Sequence, residues 1–98
     1  MIIPDVVRIL GHDYSIIYDK NIFLTDNTGG GKVCANTLEI ALYPDSPESR
    51  LAEIFMHEIM ESLKYCMQLT IEHEDLSALS EGLFSVIRNN DLDFRGVE

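Results

Sequence analysis

The sequence predicts a small α+β domain: an antiparallel sheet of three to four strands followed by two helices. Residues 1–43 are rich in β-branched and aromatic side chains, broken by Gly, Asn and Asp. Residues 46–90 show helical spacing and almost no breakers, and the two kinds of segment do not alternate. Strands first and helices afterwards is the order of an α+β chain, not of a wound parallel sheet. With 98 residues, positions 1–98 make one domain, divided into strands and loops (1–43), a first helix (46–69) and a second helix (73–90).

Val6-Val7-Arg8-Ile9-Leu10 reads as the first strand, Gly11-His12-Asp13 as a turn, and Tyr14-Ser15-Ile16-Ile17-Tyr18 as the returning strand. Ile22-Phe23-Leu24 reads as a short strand or a packed loop, and residues 25–31 as a flexible loop ending in Gly29-Gly30-Gly31. Thr28-Gly29-Gly30-Gly31-Lys32 is not a phosphate-binding loop: Val33 follows the lysine where Ser or Thr is needed, and no helix follows. Lys32–Ala35 and Leu38–Tyr43 read as a second hairpin around Asn36-Thr37, with Leu38, Ile40 and Leu42 on one face. Ser46 is placed to cap the first helix and Pro47 to open it. Leu51, Phe55, Ile59, Leu63 and Cys66 form its apolar stripe. Leu76, Leu79, Leu83, Val86 and Ile87 form that of the second helix, and Asn89-Asn90 is its stop.

Composition narrows the function. A 46% apolar fraction belongs to a folded domain rather than a disordered chain. The formal charge of −10, from 17 acids against 7 bases, disfavours nucleic acid and anionic membranes and favours cations or a basic partner. The apolar runs are too short to cross a bilayer. The segment Met1-Ile2-Ile3-Pro4-Asp5 lacks the basic start of a secretory signal, so a cytoplasmic location is expected. Cys34 and Cys66, far apart and without a C-x-x-C partner, are expected to be buried reduced thiols.

The chemically loaded segment is His57-Glu58-Ile59-Met60-Glu61. Four residues apart on a helix, His57 and Glu61 lie one above the other, which is the spacing two ligands of one metal need. The common form of the motif is H-E-x-x-H, with the intervening Glu as general base; here the fifth position is Glu61. Carboxylate and imidazole both bind zinc and other first-row divalent metals, so the exchange is compatible with a site. A further imidazole would come from His73, at the start of the second helix, or from His12 in the hairpin turn. The competing reading is a solvated helix face, because His57 and Glu61 share an arc with Arg50, Glu53, Lys64 and Gln68. Against it, Glu58 and Ser62 fall beside Leu51, Phe55 and Cys66, where a carboxylate needs a partner or a raised pKa.

From roughly Ile9 to Asn90 the chain resembles the small zincin-like proteins of phages and prophages, distant relatives of the ImmA/IrrE metallopeptidases. The resemblance rests on the order of parts: a hairpin around Gly11-His12-Asp13-Tyr14, a glycine loop before Leu38-Glu39-Ile40-Ala41-Leu42, a helix bearing His-Glu, and a His shortly before Leu79-Ser80-Glu81-Gly82-Leu83-Phe84. It implies His57, Glu61 and His73 as ligands of Zn²⁺ or another divalent first-row metal, with Glu58 as the acid/base residue. The implied activity is hydrolysis of a peptide or protein. A catalytically inactive metal-binding module, or an acidic protein-interaction module, is the alternative.

Overall fold

The structure is a computed structural model that describes residues 2–22 and 29–93. Four strands, β1 (Val6–Ile9), β2 (His12–Tyr18), β3 (Gly31–Cys34) and β4 (Glu39–Leu42), precede two helices, α1 (Glu48–Cys66) and α2 (His73–Asn89). This is the expected α+β order. Phe23 and Leu24, and residues 25–28 of the expected loop, lie outside the described residues.

The sheet is mixed, not wholly antiparallel. Its order is β1-β2-β4-β3, with β1/β2 and β3/β4 antiparallel but β2/β4 parallel. β3 lies one strand position beyond β2, and the second hairpin lays β4 into the slot between them. An inner strand, flanked by a neighbour at each edge, is the most shielded place in this sheet. β4 fits that place, because Ile40, Ala41 and Leu42 are all buried.

The hairpin turn between β1 and β2 is Leu10-Gly11, one step earlier than its glycine and aspartate suggest, with Ile9 paired to His12. Leu10, not Gly11, takes the left-handed conformation, at φ 56°. Gly29 and Gly30 also have positive φ, 73° and 106°, and Gly31 is not loop but the first residue of β3.

α1 lies on the sheet, in contact with β1, β3 and β4. The core between them is Ile9, Tyr14, Ile40, Leu42, Ile54 and Phe55, bordered by Leu51, Ile59 and Leu63 of the expected stripe. The buried line of α1 is rotated slightly from that stripe, and it includes Ala52, Glu58 and Ser62. Pro47, rather than Ser46, takes the N-cap position and offers no side-chain hydrogen bond. At the other end Gln68, at φ 54°, lets the N–H groups of Gln68 and Leu69 donate to the carbonyls of Tyr65 and Lys64. That is a Schellman stop built without glycine.

α2 packs on α1 through Leu76, Ser80 and Phe84, spaced by four. Three of the residues expected in its core stripe face outward: Leu79, Leu83 and Val86 are 54%, 40% and 51% exposed. The buried line runs along Leu76, Ser80 and Phe84 because α2 meets one helix, whose groove admits a narrow ridge, and not the open face of a sheet.

Candidate metal centre

The hairpin of α1 and α2 decides the geometry. The chain leaves α1 at the Gln68 stop, crosses residues 69–72 and enters α2 at His73. His73 is thereby returned to the middle of α1. Its Nδ1 lies 3.7 Å from Glu61 Oε1, and its ring meets that of His57 edge to face, with centroids 5.3 Å apart and planes at 81°. One ligand atom each from His57, Glu61 and His73 lie within 4.8 Å of one another. Two ligands at ~2.1 Å from a tetrahedral ion stand about 3.4 Å apart. The cluster is therefore open by an ångström or so, a distance that rotation of an exposed side chain can close, and His73 is 65% exposed.

His12 is not in this group among the described residues. It sits on the exposed end of β2, paired with Ile9 in the first hairpin, so His73 and not His12 is the histidine beside His57 and Glu61.

The donors suit a divalent cation. Burial is the main cause that pushes the His57 pKa below 6.5; the neighbouring His73 and Arg50 act in the same direction and Glu61 opposes them. A neutral imidazole is the form that ligates. Glu61 Oε1 is buried without a hydrogen-bond partner. A carboxyl oxygen withdrawn from water needs compensation, and His73 at 3.7 Å is too distant to donate to it.

Beside the cluster an open cleft of about 270 Å³ runs between the helices and Gly29, lined among others by Arg50, His57, Glu58, His73 and Ser80. Glu58 is 5% exposed and lies against β3 at Gly31. A Cβ on Gly31 would stand 2.9 Å from Glu58 Oε2 and 3.1 Å from its Cγ, and would overlap Ile54 Cγ2. Glycine at 31 is thus what lets α1 approach the edge strand closely enough to seat Glu58 behind the cleft.

Two residues of this region escaped the sequence reading. Ser80 approaches His57 Nδ1 at 3.4 Å, and Arg50, bound to Glu53 at 2.6 Å, lines the cleft. The signal for Ser80 was a hydroxyl one turn from each of Leu76 and Phe84. Arg50 had none beyond its place on the arc. The cysteines are free, as expected, but half-buried rather than buried, and Cys66 Sγ lies 3.8 Å from the Tyr14 hydroxyl.

No protein-family model, curated protein or solved structure matches the chain. Among the described residues no helix is long and apolar enough to cross a membrane.

Proposed function

We propose that this chain is a divalent-metal-dependent hydrolase of the peptidase kind, acting in the cytoplasm on a peptide or protein. His57, Glu61 and His73 would hold a zinc-type ion. The observation that carries the reading is the convergence of three ligand atoms from two helices within 4.8 Å, with a partnerless buried oxygen on Glu61. An ion held there would supply Lewis acidity toward a carbonyl and toward water.

The chain's own groups supply the rest. Glu58 lines the same cleft, where its carboxylate would take a proton from the attacking water and pass it to the departing amine. Partial burial favours the neutral form of His57, the form with a lone pair to offer in place of a competing positive charge.

Protein purified without a histidine tag should carry close to one zinc per chain after zinc addition and desalting, measured by elemental analysis. Absence of bound metal under those conditions ends the proposal. Glu58→Gln should keep the metal and lose peptide hydrolysis. The second reading, a metal-stabilised binding module of phage or prophage origin without catalysis, draws on Glu61 standing in the second ligand place and on the exposed Leu79, Leu83 and Val86 of α2. Under that reading Glu58→Gln has no phenotype.

A further inference from the structure

Ser80 is 2% exposed, on the α2 face turned to α1. Its Oγ makes two polar contacts: 3.0 Å to the Ser77 carbonyl oxygen and 3.4 Å to Nδ1 of His57. A hydroxyl has one proton to donate and two lone pairs to accept with. A carbonyl has no proton, so at Ser77 the hydroxyl must be the donor, and that is also the shorter contact. With its proton committed there, Oγ can meet Nδ1 only as an acceptor. The contact with His57 therefore requires the ring proton on Nδ1. In a neutral imidazole that leaves the lone pair on Nε2.

We propose that Ser80 is a positioning residue for His57: it holds the imidazole in the Nδ1–H tautomer, so that Nε2 is the nitrogen presented to the cluster with Glu61 and His73. The His73 ring meets that of His57 edge to face at 81°, but it is exposed and able to turn, so the tautomer is set by Ser80. A serine that merely bonds back to its own helix would make the Ser77 contact and leave the ring free to exchange tautomers. The consequence for metal rests on the reading of His57 as a ligand; the tautomer itself does not.

The tautomer is read on metal-free protein by long-range proton–nitrogen NMR, near pH ~8, where histidine is neutral. Wild type should show a protonated Nδ1 and an unprotonated Nε2 at His57. Ser80→Ala should shift the population toward Nε2–H, and Ser80→Thr, which keeps the hydroxyl, should restore the wild-type pattern. Wild type with Nε2–H, or an Ser80→Ala protein with an unchanged ratio, overturns the proposal. The second readout is zinc affinity, which Ser80→Ala should weaken by about 10–100-fold, the usual effect of removing a group that orients a ligand, with recovery in Ser80→Thr. Equal zinc affinity in Ser80→Ala and wild type overturns the positioning role. If wild type shows the expected tautomer but takes up no zinc, the hydrolase reading fails and the role of Ser80 in setting the tautomer stands.

Discussion

Replacing Gly31 by alanine tests the close approach of α1 to β3. The added carbon would lie 2.9 Å from Glu58 Oε2 and 3.1 Å from Glu58 Cγ, and would overlap Ile54 Cγ2. Carbon atoms in contact prefer ~3.5–4.0 Å, so strand or helix must move by several tenths of an ångström or more. Neither moves freely. β3 is paired to β4 through Gly31 and Leu42, and Ile54 belongs to the core cluster. Overpacking of this kind costs about 1–3 kcal/mol. The narrower unfolded ensemble of alanine returns roughly 0.4–1 kcal/mol. A net loss of about 1–2 kcal/mol follows, equivalent to a melting-temperature drop on the order of 5–15 °C for a domain this size. Gly82 is the internal control, because it lies within α2 and a Cβ there meets nothing within 4 Å. Gly82→Ala should stabilise by ~0.5–1 kcal/mol through helix propensity alone. Urea and thermal unfolding followed by circular dichroism measure both. Opposite signs are expected for the two substitutions. A Gly31→Ala protein as stable as wild type would refute the reasoning. A double-mutant cycle with Ile54→Ala locates the clash, since relief of crowding makes the pair less costly than the sum of the singles.

Metal and fold should be linked through His73. Zinc at about 100 times its dissociation constant stabilises by ~2.7 kcal/mol, or on the order of 10–20 °C. Chelator should remove that increment in wild type, His73→Ala should remove it too, and chelator should then have no effect; a His73→Ala protein with unaltered zinc affinity would rule out the three-ligand site. The increment should fade as pH falls below ~6.5, because the imidazoles must be neutral to ligate. Without metal the half-buried His57 works in the same direction: its lowered pKa means stability is present above the unfolded value and is lost as pH falls through the folded one. Finally, Leu76→Ala should cost about 2–5 kcal/mol and Leu79→Ala within ~0.5 kcal/mol, although both were expected in one stripe; equal losses would contradict the orientation of α2.

Local signals in the sequence placed the elements of the fold well but not its long-range pairings. Breakers and periodicity located each strand and both helices to within a few residues, because caps, turns and apolar spacing act over one or two turns of chain. The parallel pairing of β2 with β4 was not legible in this way. It depends on the chain after Tyr18 leaving a strand position open, and no residue within β2 or β4 records that choice. The one trace was Ala41, small, apolar and buried where an outer face would carry a polar residue, as befits an inner strand. The facing of α2 was misjudged for a related reason. Leu79, Leu83 and Val86 are more apolar than Ser80, and periodicity turns the more apolar line inward unless the partner's shape and a buried polar contact decide otherwise.

His57 and Glu61 show why the candidate site was only half legible. On α1 alone they share an arc with Arg50, Glu53 and Lys64, and periodicity assigns that arc to water. α2 reverses the assignment locally. By packing along α1 it half-buries His57 and Glu61, brings His73 to 3.7 Å from Glu61, and sets a serine hydroxyl against the His57 ring. Arg50, one end of the same arc, keeps its side chain 51% exposed. The decisive variable was the path of residues 67–72: a connection that sent α2 off at a wide angle would leave the same His-Glu-x-x-Glu segment as an ordinary solvated face. A ligand set split between two helices cannot assemble before the hairpin closes. The spacing within α1 therefore specifies two of the three candidate donors, and His73 joins them only because Gln68 takes a left-handed turn and Leu76, Ser80 and Phe84 dock α2 where they do.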